Sequence, residues 1–140
     1  MNALHLTDRD IRKTRVVVNG AGAAAIAGVE LFKALGMPHK NVIMCDSSGV
    51  VYKGRKEGMN QWKSAHAVDT EYRTLEEAAE NSDVLMGLSI KGAFSEKIIS
   101  SMAKDPIIFA MANPDPEITP EEVKKIRADA IMATCLLYTS

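Results

Sequence analysis

The sequence of 140 residues is poor in cysteine, poor in aromatic residues and almost without net charge. Its two cysteines, Cys45 and Cys135, stand alone and match no metal-ligand or redox spacing. The 17 basic and 18 acidic residues form no long run of either sign, so we expect no nucleic-acid partner. No apolar stretch approaches the length that spans a bilayer, and no signal-peptide core is recognisable. We expect one cytoplasmic domain without a membrane partner.

The most informative segment is a β-branched strand that breaks into a glycine turn and opens onto an alanine-rich helix. This order is what dinucleotide binding requires, because small residues allow the tight turn, the close approach of a pyrophosphate and close packing of the helix on the strand. The N-terminus of the helix then offers unpaired N–H groups to the phosphates. The predicted cofactor-binding residues of this segment are Gly20, Ala21, Gly22, Ala23, Ala24 and Ala25.

An acidic residue follows at the expected distance. Asp46 ends the apolar run that begins at Val42 and lies 26 residues after Gly20, near the spacing at which a carboxylate bonds a ribose hydroxyl. The alternative is an ordinary turn aspartate, since Ser47, Ser48 and Gly49 follow it. We favour the ribose role because the strand, turn, helix and acid agree with one another.

Apolar runs alternate with helical stretches, which predicts a Rossmann-type doubly wound α/β fold with a parallel sheet. Strands are predicted at Arg15–Asn19, Val42–Asp46, Asp83–Ser89, Pro106–Ala112 and Ala130–Thr134. A first helix is predicted over about Gly22–Leu35, and later helices begin after Thr74, Ser95 and Thr119. The buried side of the first helix is predicted to comprise Ala24, Ile26, Ala27, Leu31, Ala34 and Leu35.

Two further segments follow predicted strands and reach the same edge of the sheet. Leu88 and Ser89 lie in a glycine-bracketed turn that could pass close to a cofactor. Asn113 follows the next strand, and its amide can donate and accept at a nicotinamide or a substrate. Its alternative is a turn residue before Pro114.

Four segments together resemble the NAD(P)-binding domain of malic enzymes, most closely the bacterial type that is sometimes fused to a phosphotransacetylase-like region. The resemblance covers residues 1–134 and leaves 135–140 as a tail that does not match. The glycine turn and the ANPDPE loop are the most specific parts of it. The four segments are VVVNGAGAAAIAGVELFKALG, NVIMCDSSGVVYKGR, GMNQWKSAHAV and PIIFAMANPDPEITPEEV.

The resemblance implies oxidative decarboxylation of malate to pyruvate and carbon dioxide, with NADP or NAD and a Mg or Mn ion in the full-length parent. It places Ala21–Ala24 at the pyrophosphate, Asp46 at the ribose, and Leu88 and Ser89 beside the cofactor. Asn113 corresponds to an asparagine near the nicotinamide and the malate carboxylate. It also implies a homo-oligomeric parent.

The resemblance places the catalytic tyrosine, lysine and metal ligands of the family upstream of this sequence. We therefore expect both ends to be truncated and the isolated chain to be inactive, with no catalytic or metal-binding residue of its own. Two alternatives remain open: a stand-alone dinucleotide-binding module, and part of an amino-acid-type dehydrogenase. The ANPDPE loop argues against the second.

The choice between NAD and NADP stays open at the level of sequence. Asp46 would repel a 2′-phosphate, whereas the resemblance to the bacterial type favours NADP slightly. Lys53, Arg55 and Lys56 form a basic cluster that is either within reach of a 2′-phosphate or a solvated turn. Residues 49–68 are predicted to be irregular, with Trp62 anchoring a loop or short helix onto the sheet.

Overall fold

A sheet of six strands forms the centre of the computed structural model, which describes residues 12–20, 22–46, 48–56, 58–88, 94–111 and 118–134. The strand order is β3-β2-β1-β4-β5-β6, and five strands are parallel while β3 pairs antiparallel with β2. The strands are β1 Val16–Asn19, β2 Val42–Asp46, β3 Gly49–Val50, β4 Val84–Gly87, β5 Ile107–Ala110 and β6 Ile131–Thr134. The predicted α/β class and the five predicted strands are confirmed, and the short β3 is an addition.

Helices cover both faces of the sheet, as the doubly wound prediction requires. Ala25, Val29 and Phe32 of α1 pack on one face, while α3, α4 and α5 pack on the other. The helices are α1 Ala23–Ala34, α2 Gln61–His66, α3 Leu75–Ala79, α4 Glu96–Ser101 and α5 Pro120–Ile126, with a short 3-10 helix at His39–Asn41. Chain order reverses across β1, because β2 and β4 lie on its two sides. A crevice at the carboxyl ends of β1 and β4 is where such sheets bind ligands.

Three helices begin at the N-cap residues that the sequence predicts. Thr74 and Thr119 each form a capping box with Glu77 and Glu122, and the Ser95 side chain caps α4. Their positions were correctly predicted because capping involves only residues three apart.

The predicted buried side of α1 is wrong except at Ile26, which is partly buried and packs against the core. The buried residues are Ala25, Val29 and Phe32, which recur at the helical period, whereas Leu31 is 55% exposed. Apolar side chains surround this helix, so spacing alone allowed two candidate faces. The sheet selects the one that includes Phe32.

Candidate functional site

The glycine turn lies at the crevice where chain order reverses. The Gly20 N–H donates to the Cys45 carbonyl at 2.7 Å, and the Leu88 N–H donates to the Asn19 carbonyl at 2.9 Å. A Cβ built on Gly20 would lie 3.1 Å from the Leu88 carbonyl oxygen and 3.4 Å from the Ala25 Cβ. Three predicted site residues therefore lie next to one another: Gly20, Ala25 and Leu88. There is little room for a side chain at Gly20.

The N-terminus of α1 opens directly from this turn. Its N-cap is Gly22, which has no side chain that could accept from the first N–H groups of the helix. The first turn carries no acidic residue. The first intrahelical bond runs from the Ile26 N–H to the Gly22 carbonyl, so the N–H groups before it are available to a ligand. Ala23 and Ala24 are exposed here. This arrangement suits a pyrophosphate.

A cleft of about 450 Å³ adjoins this helix N-terminus. We call it the turn cleft, and its lining is mostly apolar. Trp62 is 57% exposed, so the prediction that it anchors its segment onto the sheet is wrong. Its helix α2 directs the next residue, Lys63, toward the sheet instead. The turn cleft is lined by Gly22, Ala23, Ile26, Ala27, Glu30, Asn60 and Trp62.

Asp46 ends β2, as predicted, but its carboxylate is held by two cations. Oδ1 accepts from Arg55 Nη1 at 3.0 Å and from the Ser48 N–H at 2.9 Å. Oδ2 accepts from Arg55 Nη2 and from Lys63 Nζ, the latter at 2.8 Å. The Asp46 side chain is only 6% exposed. We call Asp46, Arg55 and Lys63 the Asp46 cluster.

The electrostatics of the Asp46 cluster follow from these bonds. Burial acts to raise the pKa of Asp46, but hydrogen bonds from Arg55, Lys63 and Ser48 outweigh it and lower the pKa to about 2. The carboxylate is therefore charged at neutral pH and meets two positive groups. The three side chains of the cluster together carry one net positive charge.

Arg55 is not part of a solvated turn. Its side chain is buried, and besides Asp46 it donates to the Val50 carbonyl at 3.1 Å and the Gly49 carbonyl at 3.4 Å. Lys53 and Lys56 are exposed, in contrast to the buried Arg55.

Sequence reasoning missed Lys63 and Gly28. Lys63 reaches Asp46 because Asn60 caps α2 at the Lys63 N–H, and the cap alone was a recognisable signal. A Cβ on Gly28 would lie 3.3 Å from Met86 Sδ, so this glycine lets α1 pack closely on β4. Its place in the glycine-rich segment was the available clue.

Three predicted site residues, Ala21, Ser89 and Asn113, lie outside the described residues, and their roles stay predictions. Among the residues that the structure describes, no group of three or more histidine, cysteine, aspartate or glutamate side chains could hold a metal ion. Within the same residues no helix is long and apolar enough to cross a membrane. Burial raises the pKa of the Cys45 thiol to about 12, so this cysteine is no nucleophile.

The fold and the turn define a dinucleotide-binding domain of the doubly wound class. The family described as "Malic enzyme, NAD binding domain" matches residues 1–135. The chain belongs to this family.

Relatives and solved structures agree with this assignment. The chain is 63% identical over 134 residues to an NADP-dependent malic enzyme of Rhizobium meliloti, covering 96% of this chain and 18% of the relative. It is 40% identical to an NAD-dependent malic enzyme of the same organism, covering 96% and 17%. The crystal structure of the NAD-dependent malic enzyme of Thermotoga maritima superposes with a TM-score of 0.85 at 37% identity, covering 95% of this chain and 36% of that one. The chain thus spans about a fifth of the length of these two curated relatives.

Proposed function

We propose that this chain is the cofactor-binding part of an enzyme that oxidises and decarboxylates malate to pyruvate, and that its cofactor is NADP. The observation that carries the choice of cofactor is the net positive Asp46 cluster at the end of β2. The Rhizobium meliloti relative at 63% identity is NADP-dependent, which agrees with the proposal.

The geometry supports a division of the cofactor between two regions. The pyrophosphate suits the N-terminus of α1, next to Gly22, where backbone N–H groups are available. The adenosine ribose then reaches the end of β2. A lone carboxylate there would bond the ribose hydroxyls and repel a 2′-phosphate. In this chain the two oxygens of Asp46 already accept four hydrogen bonds, and Arg55 and Lys63 outnumber it in charge.

Lys63 is the residue best suited to bind the 2′-phosphate. Its ammonium has three protons, and the described bonds use two, to Asp46 Oδ2 and to the Gly58 carbonyl at 2.8 Å. The third proton can go to a phosphate oxygen without breaking either bond.

The family resemblance implies a metal ion. Among the described residues, no group of three or more potential ligands could hold it. The contribution that we propose for this chain is to bind the dinucleotide and to orient it. We retain Asn113 as the proposed contact to the nicotinamide end and to malate.

The test of the cofactor proposal is calorimetric titration of the chain with NADP and NAD, comparing Lys63→Gln with Lys53→Gln. Lys53 is an exposed lysine of the same region and serves as the control for total charge. We expect Lys63→Gln to weaken NADP binding about tenfold, because one charge-assisted hydrogen bond is lost, while NAD binding changes less than about twofold. Equal losses for both cofactors, or for both variants, would contradict the proposal.

NAD is the second candidate cofactor, favoured by the position of an acid at the end of β2 and by the NAD-dependent relatives. Stronger binding of NAD than of NADP in the titration would select it. For the whole protein we propose a cytoplasmic homo-oligomer. Malate-dependent NADP reduction, sedimentation and cell fractionation of the protein that carries this chain are the corresponding measurements.

A further inference from the structure

A second cleft lies at the edge of the sheet, beyond β3. Its lining is polar and basic, whereas that of the turn cleft is mostly apolar. We call it the edge cleft; its volume is about 430 Å³. Among the described residues the two clefts share no lining residue, although Ser48 and Arg55 of the edge cleft also bond Asp46. The edge cleft is lined by Ser48, Tyr52, Gly54, Arg55, Lys56 and Arg73. Three of these residues are cations and Ser48 and Tyr52 carry hydroxyls, and among the described lining residues there is no carboxylate.

Arg73 is held in a fixed position before any ligand arrives. Its guanidinium lies over the Tyr52 ring, with Cζ 3.7 Å from the ring centroid. Nη1 donates to the Thr70 carbonyl at 2.6 Å and to the Tyr72 carbonyl at 2.9 Å. Among the described residues no other guanidinium nitrogen of Arg73 is used in a hydrogen bond, so further donors remain for an anion.

Backbone contacts also hold Arg73 in position. The Arg73 carbonyl accepts from the Val50 N–H at 2.9 Å, and a Cβ on Gly49 would lie only 2.1 Å from that carbonyl oxygen. Gly49, at φ +104°, is therefore the residue that allows Arg73 to approach the β2–β3 turn.

Among the described residues, salt bridges compensate only part of the charge of the edge cleft. Arg55 is paired with Asp46, whereas Lys56 is exposed and lines the same cleft as Arg73. Glu77 is the acid in contact with Arg73, and it accepts the Arg73 N–H and the Thr74 N–H and hydroxyl as part of the α3 cap. That carboxylate caps a helix and does not line the cleft.

We propose that the edge cleft is a second anion site, which binds a phosphate monoester through Arg73, Lys56 and the Ser48 hydroxyl, separately from the dinucleotide. A pre-oriented guanidinium, an ammonium and a hydroxyl together offer the donors that a phosphate dianion takes up. The volume suits a small phosphorylated metabolite.

The test is a titration of the isotope-labelled chain followed by ¹H–¹⁵N NMR, at constant ionic strength, with inorganic phosphate and with ribose 5-phosphate as probes. We expect saturable shifts at the amides of Gly54, Lys56 and Arg73, with ribose 5-phosphate binding at least as tightly. Arg73→Gln and Lys56→Gln should each weaken binding about fivefold or more, and Lys53→Gln should not. Arg73→Gln also removes bonds that hold its own segment, so Lys56→Gln is the variant that separates binding from folding.

The same titration is repeated with NADP at saturation. Persistence of the phosphate shifts places the anion outside the dinucleotide site, whether or not the cofactor proposal holds. Shifts that do not saturate, equal loss in Lys53→Gln, displacement by NADP, or binding of inorganic phosphate but not of ribose 5-phosphate would overturn the inference.

Discussion

The glycine turn and the Asp46 cluster lie at the ends of neighbouring strands, yet different interactions hold them. At the turn, backbone groups bond one another and the space is filled by backbone and Cβ atoms, as at Gly20 against Leu88. In the Asp46 cluster, the side chains of Arg55 and Lys63 both bond the Asp46 carboxylate at the end of β2. We therefore expect added atoms to be costly at Gly20 of the turn, and loss of charge to be costly in the cluster.

Gly20→Val should produce the largest effect, because it adds three carbons where a single Cβ already lies 3.1 Å from the Leu88 carbonyl oxygen, at a φ of +155° that side chains rarely adopt. We expect a loss of about 3 kcal/mol in the free energy of unfolding and no measurable binding of dinucleotide. Urea unfolding and calorimetric titration measure the two quantities.

Gly22→Ala is the matched control for this substitution. Nothing lies within 4 Å of a Cβ built on Gly22, whose φ is −81°. Its cost should stay at about 1 kcal/mol or less, as expected for alanine at an N-cap. Equal destabilisation by the two substitutions would show that the contact between Gly20 and Leu88 is not the reason why a side chain is costly at this turn.

Asp46→Asn should come second, because it leaves the buried Arg55 and the nearly buried Lys63 without their common negative partner. We expect a loss of about 2–3 kcal/mol near neutral pH, since removal of one member of a buried ion pair leaves an uncompensated charge. The more exposed Arg127–Asp129 pair supplies the control, and Asp129→Asn should cost about 1 kcal/mol or less.

The acid unfolding profile sharpens the same comparison. The pKa of Asp46 is lowered from 3.8 to about 2, so its contribution is complete above pH 4 and is lost as the pH falls from about 4 to about 2. Asp46→Asn should lack this component of the pH dependence, which urea unfolding at several pH values measures. Parallel profiles for the two proteins would mean that the cluster does not stabilise the fold.

The same contrast explains which parts of the site could be predicted from the sequence. The turn, the strands and the capping boxes depend on residues close in sequence, and they were found. The pairing of Asp46 with Lys63 depends on how residues 49–66 fold back over β2, and no local pattern encodes that path. The exposed Leu31 shows the same limit on α1, where the sheet and not the spacing selected the buried face.

The smallest effect should come from a group that supports the Asp46 cluster at a distance. Lys33 Nζ on α1 donates to His66 Nδ1 at 2.7 Å and to His39 Nδ1 at 2.9 Å, and His39 Nε2–H donates to the Ala67 carbonyl. These bonds tie α1 to the end of α2, the helix that carries Lys63. Protonation of His66 would remove an acceptor and place a second cation against Lys33.

Burial, followed by the neighbouring Lys33, lowers the pKa of His66 from 6.5, with Glu30 at 4.0 Å acting in the opposite direction and His39 in the same one. Because the lowered pKa favours the neutral ring, the contribution is complete above pH 6.5 and declines as the pH falls below it. Between about pH 7 and 5, urea unfolding should show a loss of less than about 1 kcal/mol, as for other partly exposed pairs. His66→Gln keeps an acceptor but cannot titrate, so its stability should fall less over this range. If the two curves fall in parallel, the support comes from packing around α2 and not from the protonation state of His66.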